Sequence, residues 1–540
     1  MTQPAQPRVR DVTRDLLREF GLTTIFGNPG STELGFLDNF PDDFRYILAP
    51  LELCAVAMAD GFAQFSGNAA LVNLHSIGGV GHAMGAIATA HHNHTPLVIL
   101  AGQQSRSLLT GEPFLGGIDP TGLAKPYVRW AVQPARAADV PAAVQRAYLI
   151  ATTPPFGPTL VSVPADDWEE PATPIVARPR MGGIAPDPQR LTEVANALAL
   201  SEAPALVLGG AVDADGAAAT AVDLAEALGA RVFAAPMSGR CSFPEQHRLF
   251  GGFLDPAQHS LATTLAHHDL VLVVGAPAFI RHVVTDPGPD LPPIYVISAD
   301  ANELSWAPEG VGIHATPSLA LSALLPLAGG RSGRPSGPET LPSPPAPVAS
   351  EPITAEYALS TIAEMLPDNA IVVEEAPSHR PVLHRYLPIR SPGSFFTGQA
   401  GVLGFALPAA IGVALAQPDR PVVAILGDGS SLYSFQALWT AVQQRVNVVY
   451  LIFDNRQYGA LLALADAANY SKIPGTELGG TNFRQLAESF GCPASDVTAP
   501  AELAPALRAA LSMPGPHLIH VALSTRYQTL YPTAGDQPDR

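Results

Sequence analysis

The chain has 540 residues, of which 47% are hydrophobic and 14% charged, and a formal net charge of -18 at pH 7. That composition excludes a disordered chain, and the acidity argues against a nucleic-acid-binding surface. The length exceeds what one core supports, so about three domains are expected.

The N-terminal stretch MTQPAQPRVRDVTRDLL holds no apolar core of the signal-peptide kind. No apolar run approaches 18 residues, so a cytoplasmic chain without membrane contact is expected. Val9, Val12, Leu16, Leu17 and Phe20 recur at helical spacing over 8–20. Short strands then alternate with helices. Residues 23–26 end in Gly27-Asn28-Pro29-Gly30-Ser31, and 44–48 lead through Pro50 to Glu52. Residues 69–74 end in His75-Ser76, and 96–101 end in Gly102-Gln103-Gln104. Helical patterns fill 53–65 and 81–90. Such alternation implies a parallel sheet covered on both faces, with ligands beyond the carboxyl ends of its strands. Ser31, Glu52 and His75 all stand at or just after those ends, where they could share one rim.

A strand at 159–163 completes this first unit, expected to span 1–180, and a proline-rich passage over 169–188 reads as a linker. A second α/β unit is expected over 186–328. Its Gly209-Gly210 lacks the GxGxxG spacing of a dinucleotide site and reads as a turn. Residues 329–352, GGRSGRPSGPETLPSPPAPVASEP, are too rich in Gly, Pro and Ser to pack and mark a linker. A third α/β unit over 353–530 alternates like the first, and residues beyond Tyr531 read as a loose tail. The expected fold is α/β, with three doubly wound parallel-sheet domains. Cys54, Cys241 and Cys492 form no CxxC pair, which excludes a disulfide framework and a zinc site. Lys125 and Lys472 are the only lysines and no Gly-Lys-Ser/Thr occurs, which excludes a Walker phosphate loop. His91, His92 and His94 have no acidic or cysteine partner at matching spacing and read as structural.

The third unit carries the strongest chemical signal. Residues 422–426 read as a buried strand that stops at Gly427-Asp428-Gly429. Ser430 or Ser431 can cap the helix that follows, in which Leu432, Phe435, Leu438, Trp439 and Val442 keep helical spacing. A second strand over 446–453 ends at Asp454-Asn455. A strand–helix–strand crossover is parallel, so Asp428 and Asn455 finish side by side at one sheet edge. A carboxylate, an amide oxygen and loop carbonyls there can hold Mg²⁺ and leave room for phosphate and water. The glycines beside a helix N-terminus suit the phosphates. Gly-Asp-Gly alone would be a turn; the asparagine 27 positions on favours a magnesium–diphosphate site.

GDGS…DN over this spacing resembles the thiamine diphosphate motif of the 2-oxo acid decarboxylase and acetolactate synthase superfamily. FGNPGS, PLELCAVAMADGFAQFSG, NLHSIGG, AGQQSR, SVPADDW, GAPAFIRH with VVTDPG, and GVLGFALPAAIGVALA are similar, in that order, to benzoylformate decarboxylases. The resemblance implies thiamine diphosphate with Mg²⁺ (Ca²⁺ as an alternative) and no FAD in the central unit. It implies that Glu52 hydrogen-bonds N1′ of the aminopyrimidine and promotes its imino tautomer. The Gly401 carbonyl would accept from the 4′-amino group, and Leu403 would bend the cofactor into a V. Cofactor contacts are implied for Asn28, Pro29, Gly30, Ser378, Gly427, Asp428, Gly429, Ser430, Asn455, Tyr458, Gly459 and Ala460. Asp428, Asn455 and Gln457 would surround the metal. Ser31, His75 and His282 stand for the serine and two histidines that these enzymes use as catalytic residues. Taken alone, Ser31 reads as a helix N-cap, His75 as a strand-end histidine and His282 as a surface residue.

The resemblance further implies non-oxidative decarboxylation of a 2-oxo acid to an aldehyde and CO₂. It implies a homodimer as minimal unit and a homotetramer as the expected assembly. The pocket is expected to involve Ser31, Phe114, Leu115, Pro377, Arg380, Thr397, Leu461 and Leu464. Thr397 and Leu464 stand where benzoylformate enzymes are expected to carry phenylalanine, and Pro377 and Arg380 where threonine is expected. A wider, more polar pocket follows, in which Arg380 meets a second anionic group or points to solvent. An aryl 2-oxo acid such as benzoylformate is the expected substrate. The alternatives are decarboxylation of another 2-oxo acid, an acetolactate synthase-like carboligase and a catalytically silent binding protein of the same fold.

Overall fold

Three six-stranded sheets, parallel throughout, organise the chain in a computed structural model that describes residues 6–305, 310–328, 343–527 and 530. The first sheet holds β1 (Thr24–Asn28), β2 (Arg45–Leu48), β3 (Ala70–Leu74), β4 (Leu97–Gln103), β5 (Trp130–Val132) and β6 (Thr159–Pro164). The second holds β7 (Pro204–Leu208), β8 (Arg231–Ala234), β9 (Phe250–Phe253), β10 (Leu270–Val274), β11 (Ile294–Ser298) and β12 (Val311–His314). The third holds β13 (Ile371–Glu375), β14 (Phe395–Thr397), β15 (Val422–Gly427), β16 (Val448–Asp454), β17 (Ala494–Val497) and β18 (His517–Ala522).

The first sheet runs β2-β1-β3-β4-β6-β5 and the third β14-β13-β15-β16-β18-β17, which is one topology used twice. The second runs β12-β11-β10-β7-β8-β9, the strand order of dinucleotide-binding folds. In the first and third sheets the order reverses at β1/β3 and β13/β15, so a crevice opens outside those strand ends.

One core spans the first and third units, and Val72 and Ala57 share it with Ala424 and Ala409. Helix Glu52–Ser66 meets helix Ala406–Ala416 there at backbone distance, because a methyl at Gly61 would overlap the Ala409 carbonyl and one at Gly412 the Met58 carbonyl. Arg240 ties in the second unit. Its guanidinium donates to Asp213 Oδ2 (2.7 Å) and Gln64 Oε1 (2.8 Å) and lies over Phe65 and Phe396.

Two local expectations change. Residues 428–444 form two helices, Asp428–Leu432 and Ala437–Gln444, broken by turns over 433–436. Gly427 takes the N-cap position, so Ser430 and Ser431 lie inside the first turn, where Ser431 Oγ donates to the Asp428 carbonyl (2.8 Å). Residues 343–350 of the proposed linker follow no strand or helix; 329–342 and the tail beyond Tyr531 lie outside the described residues.

Candidate active site

An open pocket lies beyond the carboxyl ends of β13, β15 and β16. Pro377 and Ser378 follow β13, Gly427 ends β15 with Asp428 to Ser430 just after it, and Asn455, Gln457 and Tyr458 follow β16; Gly401, Leu403, Ala460 and Leu461 complete the wall. Asp428 Oδ1 accepts from the Gly429 N–H (2.8 Å), while Oδ2 is buried without a partner among the described residues. Asn455 is 1% exposed; its Oδ1 accepts from the Gln457 N–H (3.4 Å), and its Nδ2 is likewise unpartnered. Leaving such an atom unmade costs about 1–3 kcal/mol.

Burial pushes the Asp428 carboxyl up to about 7, and the adjacent Asp454 carboxylate adds to the rise. Two carboxylates side by side need a proton or a cation between them. A hard divalent cation with oxygen ligands meets that need, and the residues present fit one. Asp454 is backed by His520, whose Nε2 lies 2.9 Å from Asp454 Oδ2 and whose Nδ1 lies 3.0 Å from Asp496 Oδ1. Burial opposes the His520 charge, but the hydrogen bonds to the two carboxylates outweigh it and raise its pKa.

The loop carrying Leu403 depends on two glycines in left-handed conformation, Gly401 (φ +67°) and Gly404 (φ +92°). It is pinned by Glu375, whose carboxyl oxygens accept from the Phe405 and Ala406 N–H groups at the start of helix Ala406–Ala416 (3.3 and 3.1 Å). Ser378 Oγ accepts from the Ala460 N–H (3.0 Å), and a methyl at Gly459 would press on Ser378 Oγ and Asn455 Nδ2. His379 also lines the pocket; burial lowers its pKa to about 4, so it is neutral.

The edge of the first sheet presents a second set of groups. Glu52 opens helix Glu52–Ser66 and is 7% exposed. Its Oε1 accepts from Asn28 Nδ2 (3.2 Å), and its Oε2 lies 3.0 Å from His82 Nδ1. Gly79 makes the space, since a methyl there would press on Glu52 Cγ. His75 follows β3, and Ser76 after it takes a left-handed φ of +46°. The ring lies against Gly30, where no side chain would fit. His75 Nδ1 is 2.9 Å from Glu33 Oε2 and 3.0 Å from Thr32 Oγ1. A carboxylate at Glu33 only accepts, so Nδ1 carries the hydrogen of that contact and Nε2 is the nitrogen left for other partners. Glu33 Oε2 also accepts from the Gly30 N–H (2.8 Å), fixing the Asn28–Ser31 turn. Ser31 is exposed, and Gly30, not Ser31, is the N-cap of the turn Ser31–Glu33.

The turn from Asn28 to Ser31 thus meets Glu52 at one end and His75 at the other, while Asp428, Asn455 and Gln457 meet in the third unit. His282 stands apart on an exposed segment of the second unit, its N–H donating to the Pro256 carbonyl (3.0 Å). Phe114 (86% exposed) and Leu115 (41%) flank the first sheet. Leu464 is half-buried on helix Gly459–Ala467. Arg380 settles between the two expectations for it: Nη2 lies 2.8 Å from buried Glu374 Oε2 and 3.0 Å from Thr397 Oγ1. Two of the positions that depart from the benzoylformate pattern therefore bond to each other. Glu33, His82 and His379 are not singled out by the sequence, and Asp454 enters there only as a strand end. Glu33 lies two positions beyond the quoted FGNPGS turn.

Three family models match the chain. They are described as the thiamine pyrophosphate enzyme N-terminal TPP binding domain (residues 7–123), central domain (191–324) and C-terminal TPP binding domain (376–521). The benzoylformate decarboxylase of Pseudomonas aeruginosa is 43% identical over 529 residues, covering 96% of this chain and 99% of that protein. The crystal structure of benzoylformate decarboxylase from Polynucleobacter necessarius superposes with a TM-score of 0.94 at 36% identity, covering 96% of this chain and 99% of that one. The thiamine diphosphate-dependent 4-hydroxybenzoylformate decarboxylase of Rhodococcus jostii RHA1 gives a TM-score of 0.94 at 38% identity, covering 96% and 100%.

Proposed function

The chain belongs to the thiamine diphosphate-dependent 2-oxo acid decarboxylase family, and from that premise we propose that it converts benzoylformate or a close aryl 2-oxo acid to the aldehyde and CO₂, with Mg²⁺ as the companion cation. The observation that carries this reading is a pair of buried groups at one sheet edge without partners among the described residues, Asp428 Oδ2 to meet a cation and Asn455 Nδ2 to donate to a phosphate oxygen. The names of the similar proteins supply the substrate class.

Thiamine diphosphate supplies a nucleophilic carbon and an electron sink when bound. The chain's own residues bind and orient it and move protons. Asp428, the Asn455 amide and the Gln457 carbonyl would hold the cation. Gly427, Gly429, Ser430, Ser378, Tyr458, Gly459 and Ala460 would surround the diphosphate, with Gly401 and Leu403 against the ring system. At the other end, Asn28 fixes the Glu52 carboxylate, which would accept from the pyrimidine edge, while Pro29 and Gly30 shape the turn beside it. His75 Nε2, with Nδ1 committed to Glu33, is set to give or take a proton. The Ser31 hydroxyl would meet the substrate carboxylate, and His282 would approach from the second unit. Glu374 neutralises Arg380, so the reading favours a substrate with a single carboxylate.

Among the described residues the pocket lining comes wholly from the third unit, and Glu52 and His75 stand on the first. The reading therefore includes a homodimer in which the first-sheet rim of one subunit faces the third-sheet pocket of its partner, within a homotetramer. Exposed Phe114 (86%) and Ile118 (85%) beside that rim suit such a contact. The test is a 2-oxo acid panel with thiamine diphosphate and Mg²⁺, aldehydes and acyloins being separated. Benzoylformate should give benzaldehyde and CO₂. A preference for pyruvate with a carboligation product would overturn the substrate assignment.

A further inference from the structure

The segment His91-His92-Asn93-His94 gains acidic neighbours in the folded chain. They come from the far side of the sequence: Asp300 and Glu303 follow β11 in the second unit, while His94 stands between helix Ser76–His92 and β4 in the first. One ligand atom from each of His94, Asp300 and Glu303 lies within 4.8 Å of the other two. The three border the cleft at the carboxyl edge of the second sheet, next to Ser298 and Ala299.

Each of the three is already held by a second partner that leaves one ligand atom for the common point. His94 Nδ1 lies 3.4 Å from the Phe156 carbonyl, so that nitrogen carries the hydrogen and Nε2 faces Glu303 Oε1 at 3.2 Å. Glu303 Oε2 accepts from Ser298 Oγ (2.7 Å). Asp300 Oδ1 accepts from the Asn302 N–H (2.8 Å), which leaves its second oxygen. A metal-bound histidine commonly donates its other N–H to a carbonyl, and ligating carboxylates are themselves hydrogen-bonded. Ligand atoms about 2.0–2.2 Å from a tetrahedral zinc stand roughly 3.3 Å from one another, close to the His94–Glu303 separation. With acceptors facing both ring nitrogens, His94 needs a second proton or a cation at Nε2.

We propose that His94, Asp300 and Glu303 form a divalent-metal site of the zinc type, with water in the fourth position, that fastens the first unit to the second. Nitrogen and carboxylate ligands in a three-residue set suit Zn²⁺ better than Mg²⁺, which prefers oxygen ligands in an octahedron. The site is separate from the diphosphate pocket and shares no residue with it.

The test is Zn²⁺ binding by the holoenzyme, loaded with thiamine diphosphate and excess Mg²⁺, followed by equilibrium dialysis with metal analysis and by thermal unfolding. One Zn²⁺ per chain should bind, raise the melting temperature and leave the retained Mg²⁺ unchanged. Asp300→Asn and His94→Gln should weaken binding by about 10²-fold or more, and Ser298→Ala by about tenfold, the scale of a lost outer partner. If His94→Gln fails to fold, Asp300→Asn decides. The absence of stoichiometric Zn²⁺, or equal binding by wild type and Asp300→Asn, would overturn the proposal and leave the cluster an ion pair only.

Discussion

His75 has one nitrogen committed to Glu33, and the proposed mechanism puts the other to work. The Glu33 carboxylate takes the Nδ1 hydrogen and the Gly30 N–H together, so it sets the tautomer of His75 and the shape of the turn that carries Ser31. Glu33→Gln keeps the size but offers an amide that can present the wrong polarity to Nδ1. It should lower kcat by about 10²-fold, the scale of a positioned proton-transfer group, with little change in cofactor affinity. An unchanged kcat would reduce Glu33 to packing. Glu52→Ala should cut turnover by a larger factor while the protein still binds Mg²⁺ and diphosphate through the third unit; near wild-type activity would sink the role given to Glu52. These residues differ in how far the sequence exposes them. Glu52 stands out as a carboxylate at the head of an alanine-rich buried helix. Glu33 is visible in the FGNPGSTE turn, but nothing there says that the turn returns it beneath His75. Arg380 was open for the same reason: its partner Glu374 lies on a strand whose side-chain direction the local pattern does not reveal.

Helices Glu52–Ser66 and Ala406–Ala416 bind the first unit to the third by backbone contact at Gly61 and Gly412. Gly412→Ala should therefore destabilise the chain by about 1–3 kcal/mol despite the better helix former, because the methyl meets the Met58 carbonyl. Urea unfolding monitors this, and a stabilised variant would contradict the close crossing. Glu375, at the start of the second helix, adds a pH dependence. Burial pushes its carboxyl from 4.5 up to about 8 against the pull of the N–H groups it accepts from. Between those values the folded chain keeps a proton that the unfolded chain has released, so stability from this group drains as pH rises from about 4.5 to 8. Glu375→Gln is neutral in both states, so its melting temperature relative to wild type should climb between pH 5 and 8. Parallel curves would contradict the buried, protonated carboxyl. Elements themselves were largely legible, because buried parallel strands read as short apolar runs. After Gly427 the sequence reads as one helix, because Leu432, Phe435, Leu438 and Trp439 keep their spacing straight through the break at 433–436; periodicity does not register a turn that preserves it.

Across the whole molecule, one strand order is used in the first and third units, and each puts its chemistry at the same reversal point. Their similar alternation was visible in sequence, but strand order was not, since it depends on pairings between distant segments. The same holds for His94 with Asp300 and Glu303, which no spacing rule can join. The proposed pairing of subunits has a direct consequence. Inactive Glu52→Ala and inactive Asp428→Ala chains, unfolded and refolded together, should regain activity, because a mixed dimer contains one site with neither change. No recovery would place both halves of the site on one chain. The claim on which all of this depends is decarboxylation at the site built on Asp428 and Asn455. It is tested most directly by measuring CO₂ and benzaldehyde released from benzoylformate by wild type and by Asp428→Asn, with and without thiamine diphosphate and Mg²⁺. The account predicts equimolar products from wild type only when both are supplied, and loss of turnover in the variant. Absence of turnover by the wild type, or equal turnover by Asp428→Asn, would contradict it.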